Sequence, residues 1–142
     1  MSDFDINELL NSLEKDSNST IINLNSRKIK DHKNNILQKL QIKKTKLKEF
    51  HKKLKQYRYC SEISDLQEGF FIRWISLKNP DDLKLTNGGH ITEILIFNEG
   101  AQIRLKNSMN RFFQIKFDEV IIFQKISQQE NVILTVVDYL DK

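Results

Sequence analysis

Neither glycine nor proline occurs before Gly69; all four glycines and the single proline lie at or beyond it. The first half of the chain therefore lacks both the residue that most readily turns left-handed and the residue that most reliably stops a helix. Residues 26–58 read as one uninterrupted helical pattern, with Asn25 or Ser26 able to cap its start. From about Gly69 onward the pattern changes to short strands separated by turn signals. An extended helical arm joined to a compact β module is the layout this predicts.

The arm carries a heptad seam. Ile29, Ile36, Lys43, Phe50 and Tyr57 share one seam position, and Lys33, Leu40, Leu47 and Leu54 share the other. Seven of these nine residues are apolar over about four heptads, which reaches the threshold for a coiled coil. Ile29, Ile36, Leu40, Leu47, Phe50, Leu54 and Tyr57 are thus a candidate assembly seam, with Lys33 and Lys43 as breaks in it. The competing reading is a long helix that folds back on its own β module with its lysines solvated.

Charge is segregated along the chain. The net charge of +4 conceals one lysine against five carboxylates in residues 1–25, thirteen Lys/Arg against two in 26–58, and nine against twelve in 59–142. A basic block of this density points to a polyanion or to acidic parts of a partner. Lys44, Lys46, Lys48, Lys52, Lys53, Lys55 and Arg58 form a candidate phosphate-tracking surface. Two observations temper it. Ile, Lys and Asn are abundant while Ala101 is the only alanine, so A/T-rich codon usage accounts for part of the lysine excess. Lysine outnumbers arginine 18 to 5, which disfavours bidentate base readout.

Ahead of the arm, Phe4, Ile6, Leu9, Leu10 and Leu13 recur at helical spacing in an acidic segment, followed by a linker-like stretch to Asn25. A tethered acidic amphipathic helix is a groove-docking peptide, or an N-terminal helix that packs on its own chain. The start, Met1-Ser-Asp-Phe-Asp, has neither a basic nor an apolar signal region, and no apolar run approaches the roughly 20 residues that span a bilayer. The one cysteine, Cys60, has no internal disulfide partner. A soluble intracellular protein, cytoplasmic or nuclear, is expected.

In the β module the strands set one another's register. Pairing Ala101–Asn107 with Arg111–Phe117 across Ser108-Met-Asn110 opposes Leu105 to Phe113, Ile103 to Ile115 and Ala101 to Phe117. A turn at Glu99-Gly100 opposes Ile96 to Ile103 and Ile94 to Leu105, turning Thr92, Ile94 and Ile96 inward and Glu93, Leu95 and Phe97 outward. The outer face then carries Leu95, Phe97 and Phe112 beside Arg104, Lys106 and Lys116, and apolar residues on both faces require a cover. The C-terminal segment is the candidate cover. Ser127-Gln-Gln-Glu130 fits a capping box before Val132, Ile133, Val136, Val137 and Leu140, although the β-branched content of 131–140 keeps a strand open. With Gly69–Leu77 and Val120–Lys125, five antiparallel strands suggest a small SH3-like or Tudor-like barrel.

Gly69-Phe-Phe-Ile-Arg-Trp-Ile75, Asn87-Gly-Gly89, Ile103-Arg-Leu-Lys-Asn107, Phe113-Gln-Ile-Lys-Phe-Asp118 and Ile122-Phe-Gln-Lys125 together define a scaffold. It resembles the C-terminal β module of uncharacterised small proteins of nucleocytoplasmic large DNA viruses. The resemblance spans residues 66–125, leaves the arm and the acidic peptide outside, and implies a virion or virus-factory component without catalytic residues to carry over.

Chemistry-bearing patterns are few. His32, His51, His90 and Cys60 lack metal-site spacing, Gly88-Gly89 reads as turn chemistry, and Asp81-Asp82 with Asp118 and Glu119 reads as loop carboxylates. The expected fold is α+β: a long basic coiled-coil-like helix (26–64) after an acidic peptide and linker (1–25), then a small antiparallel barrel with a C-terminal helix (65–142). No enzymatic role, cofactor, metal or small-molecule substrate is indicated. The expected function is a structural or adaptor protein, a homo-oligomer through its arm whose β module binds another protein. The alternative is non-sequence-specific nucleic-acid binding through Lys44, Lys48, Lys52, Lys55, Arg104, Lys106, Arg111, Phe112 and Lys116.

Overall fold

A computed structural model describes residues 24–141; the acidic peptide with Phe4, Ile6, Leu9, Leu10 and Leu13 lies outside them. The long helix expected over the arm does not form. Helix α1 runs Ser26–Lys39, capped by the Asn25 side chain, which accepts a hydrogen bond from the Lys28 N–H at 2.7 Å. The chain then turns at Gln41, whose φ of 54° is left-handed, and restarts as α2, Lys44–Lys53. A straight helix over 26–58 would be about 50 Å long, whereas a six-stranded sheet is only about 24 Å across. Breaking the arm lets both halves of its apolar stripe reach one sheet. The coiled-coil-like arm is therefore replaced by two short helices. Residues Tyr57–Cys60, the end of the expected arm, are strand β1.

The remaining elements are β2 (Phe71–Ser76), β3 (Gly89–Phe97), β4 (Gly100–Lys106), β5 (Phe112–Lys116), β6 (Val120–Lys125) and helix α3 (Gln128–Leu140). The strands form one antiparallel sheet in the order β1-β6-β2-β3-β4-β5. Among the described strands β1 pairs only with β6 and β5 only with β4, so an open six-stranded sheet takes the place of the expected barrel. Its curl follows from connectivity. A single 3-10 turn, Phe117–Glu119, joins β5 to β6, which stand four places apart in the strand order.

Strand β6 explains the layering. Ile121 and Phe123 join Leu37, Phe50, Leu54, Tyr57 and Ile75 in a core beneath α1 and α2. Ile122, on its other face, joins Cys60, Leu66, Ile72, Trp74, Ile91, Ile103 and Leu105 inside the curl. Each fully buried large side chain of this kind stabilises by roughly 1.5–3 kcal/mol. The arm helices, rather than the C-terminal segment, cover the second face of β1, β6 and β2. Residues 128–140 are helical, and the capping box is present: Ser127 Oγ accepts from the Glu130 N–H at 3.1 Å, and Glu130 Oε1 accepts from the Ser127 N–H at 2.9 Å. Helix α3 packs Ile133 and Leu134 against Ile29 of α1.

Registers are partly as expected. Leu105 opposes Phe113 and Ile103 opposes Ile115, but Ala101 does not meet Phe117, which lies in the 3-10 turn. The β3–β4 turn falls one residue earlier, at Asn98-Glu99, which shifts the register by two: Phe97 pairs with Gly100, Ile96 with Ala101 and Ile94 with Ile103. A bulge between Ile91 and Glu93 shifts the strand's phase, so Ile91 takes the inner position expected of Thr92.

Candidate functional site

The hydrogen-bond register builds a surface on the outer face of β3, β4 and β5. One row across the sheet runs Phe71, His90, Lys106, Phe112; the next runs Glu93, Arg104, Gln114; the third runs Leu95, Gln102, Lys116. Strand alternation puts all of these on the face opposite Ile103, Leu105 and Ile115. Lys106 Nζ sits 5.6 Å from the Phe112 ring centroid, and Arg104 Nη1 pairs with Glu93 Oε2 at 2.9 Å. Gln114 Nε2 donates to Gln102 Oε1. The rings of Phe71 and His90 meet edge to face at 5.0 Å. Phe112 and Phe97 remain 64% and 46% exposed. The β4–β5 turn places Arg111 beside this face. Asn107 Oδ1 accepts from the Met109 and Arg111 N–H groups, each at 3.0 Å, and Asn110 takes the left-handed φ of 61° that such a turn needs.

The second part of the surface is helical. Lys44, Lys48 and Lys52 follow one another at i, i+4 spacing on α2 and are exposed, as is Lys55 just beyond it. Like charges at that spacing repel by roughly 0.2–0.5 kcal/mol per pair. Within 26–58 the ion pairs are Lys46–Asp82 (3.7 Å), Lys53–Glu49 (2.6 Å) and Arg58–Glu130 (4.0 Å). Among the described residues Arg27, Lys28, Lys30, Lys39, Lys43, Lys44, Lys48, Lys52 and Lys55 have no ion-pair partner. Helix α2 also begins without a side-chain cap and without an acidic residue in its first turn. Its positive N-terminal dipole therefore meets lysines instead of carboxylates.

The seam residues lie within the protein's own fold. Ile29 contacts α3; Ile36, Leu40 and Leu47 pack half-buried on the core under the arm helices; Phe50, Leu54 and Tyr57 are part of that core.

Some residues matter in ways that the heptad seam does not foretell. Lys33 is only 6% exposed, and its Nζ donates to the carbonyls of Leu54 (2.8 Å) and Tyr57 (2.9 Å), closing the C-terminal end of α2. Burial, reinforced by Lys30, holds its pKa below the ordinary lysine value. A cation interrupting an apolar seam was the available signal. Arg58, expected to face phosphates, is buried and donates through Nη2 to the Asp65 carbonyl at 3.0 Å. Burial raises the Glu130 carboxyl and pushes the Cys60 thiol up to about 12. Among the described residues no three His, Cys, Asp or Glu side chains are grouped to hold a metal ion. No described helix is long and apolar enough to cross a membrane.

Comparison with protein-family models, with curated proteins and with solved structures returns no match to this chain. The functional reading therefore rests on the surface chemistry itself.

Proposed function

We propose that the protein binds nucleic acid without base-specific readout, tracking phosphates with the α1–α2 lysines and stacking bases on the outer face of β3–β5. The observation that carries this reading is the ladder in which Lys106, Arg104, Lys116 and the two glutamines flank the exposed rings of Phe112 and Phe97. Aromatic faces accept any base, and each stacked base contributes roughly 1–3 kcal/mol. The unpaired lysines supply the sequence-independent term, which dominates such binding.

Anisotropy titrations with random-sequence single- and double-stranded oligonucleotides test it. Contact with about five phosphates gives a log–log salt slope near −4.5 for duplex and about −3.5 for single strands. Phe112→Ala should weaken single-strand binding about tenfold while leaving duplex binding nearly unchanged. Absence of binding at low salt would end the proposal.

A second reading, assembly with another copy, is favoured by the composition of the free edge strand. Laid antiparallel to itself about Gln114, β5 opposes Phe112 to Lys116 and Phe113 to Ile115, so apolar meets apolar and ring meets cation. Phe113, on the inner face of this edge strand, is 44% exposed. Sedimentation tests it: a monomer at high concentration, or a dimer indifferent to Phe113→Glu, argues against pairing through β5.

A further inference from the structure

A cleft of about 510 Å³ opens where α1, the end of α2, the exit of β6 and α3 meet. Its described lining includes Lys30, Lys33, Lys55 and His51 but no carboxylate, although Asp138 holds Ser26 of that lining through its N–H and Oγ. Ile126 and Leu134 supply apolar wall, and Asn34 and Asn131 supply amides that both donate and accept. The volume falls within the roughly 300–1,000 Å³ usual for small-molecule sites.

Lys33 makes this more than a basic patch. It is buried, it has no ion-pair partner among the described residues, and its two hydrogen bonds go to carbonyls. An ammonium has three N–H groups, so one donor remains beyond these two bonds. Burial, together with the nearby Lys33 cation, holds the His51 imidazole below its ordinary pKa. The fold thus gathers three lysines around the His51 imidazole. An anion is the partner this arrangement lacks, and the apolar wall and amides suit a flat heteroaromatic ring with a polar edge.

We infer that the cleft between α1, α2 and α3 binds a nucleoside phosphomonoester, its phosphate held by Lys30, Lys33 and Lys55 and its base set against Ile126 and Leu134. The phosphate brings about −1.5 to −2 charges at neutral pH and three acceptor oxygens. Those oxygens accept short, charge-assisted hydrogen bonds from the lysine ammonium groups. The same chemistry is presented by a free nucleotide and by the 5′-phosphorylated end of a strand. The inference does not depend on strands binding the sheet face, although Lys55 serves both surfaces.

Calorimetric titration of the full chain with AMP, adenosine and inorganic phosphate, with His51 followed by NMR, tests it. AMP should bind at least about tenfold more tightly than either fragment and raise the His51 pKa. Lys30 and Lys55 are exposed, so Lys30→Gln/Lys55→Gln should keep the fold and weaken AMP about tenfold or more. The Phe112→Ala variant should bind AMP like the parent, which separates this cleft from the sheet face. A 5′-phosphorylated oligonucleotide that outcompetes its 5′-hydroxyl counterpart assigns the strand end as ligand; equal competition by both, with AMP binding intact, assigns the free nucleotide. No AMP binding at millimolar concentration, or binding unaltered in the double variant, overturns the inference.

Discussion

Leu54→Ala asks whether the apolar stripe of the arm serves the protein's own core or a partner. Leu54 has 0% exposure and packs among Leu37, Phe50, Ile75 and Phe123; its N–H bonds the Phe50 carbonyl at 2.9 Å and its carbonyl receives Lys33. Truncating a leucine in such a site costs about 3 kcal/mol, combining lost transfer energy with a cavity the neighbours only partly fill. Over the roughly 120 described residues the entropy of unfolding converts this into a fall of about 12 °C in Tm. Leu47 is only half-buried against the same core, so Leu47→Ala should cost about 1 kcal/mol, or roughly 4 °C.

Thermal melts of both variants at several protein concentrations provide the assay. In a coiled coil, Leu47 and Leu54 occupy equivalent seam positions one heptad apart. Both truncations would then cost similar amounts, and the parent's Tm would rise with concentration. The intramolecular packing instead predicts unequal losses and a concentration-independent loss at Leu54. Equal effects of the two truncations, removed by dilution, would refute the argument.

The backbone supplies a second test. An alanine Cβ at Gly88 (φ 93°) would lie 2.2 Å from the Ile72 carbonyl oxygen, whereas one at Gly69 (φ 87°) meets nothing within 4 Å. Gly69→Ala should therefore cost about 1–2 kcal/mol from the left-handed conformation alone, and Gly88→Ala distinctly more in the same denaturation assay. Cys60, with its thiol pushed up to about 12 by burial, should resist alkylation at pH 8 and react at once in denaturant; fast labelling of the folded protein would contradict its packing. Glu130 is raised by burial, so the stability it contributes is present in acid and fades as pH climbs through its folded-state value. The Tm difference between parent and Glu130→Gln should therefore move in the variant's favour from about pH 4 to pH 7, and a flat difference would contradict the shift. An oligonucleotide at about 100 times its Kd should stabilise the fold by about 2.7 kcal/mol, and an unchanged Tm would count against the polyanion surface.

Much of the sheet was legible because pairing multiplies constraints. The β4–β5 register followed from matching Ile103 to Ile115 and Leu105 to Phe113, whereas the β3–β4 register, and with it the β3 part of the outer-face rows, differs by two residues from the expected one. The C-terminal helix was signalled by Ser127 and Glu130, although its valines and Ile133 kept a strand open as an alternative, and the capping box is in place. The break at Gln41 was not legible. A non-glycine residue in a left-handed conformation carries no local mark, and the turn is set by the width of the sheet the helices must cover. Tyr57–Cys60 alternates like a strand, but Tyr57 also continued the heptad, and only pairing with Phe123 and Lys125 decides between them. The cleft was invisible for a related reason. Its lining residues come from four separate segments, and Lys33 and His51 meet only because α2 turns back beside α1.

The same fold-back accounts for the charge of the surface. Once the apolar stripe of the arm is buried against β1, β6 and β2, its lysines are confined to the remaining faces of two short helices and stand closer in space than on one long rod. Breaking the arm also creates a new helix N-terminus at Lys43 and Lys44, where the dipole disfavours cations. Two features of the unbound protein therefore oppose its stability: the repelling Lys44, Lys48 and Lys52 row and the basic start of α2. Substitution by neutral residues would relieve each of them singly, and a polyanion lying along α2, as proposed for this surface, would relieve both together. Lys33 is accounted for differently, because its buried ammonium closes the other end of α2 through the Leu54 and Tyr57 carbonyls.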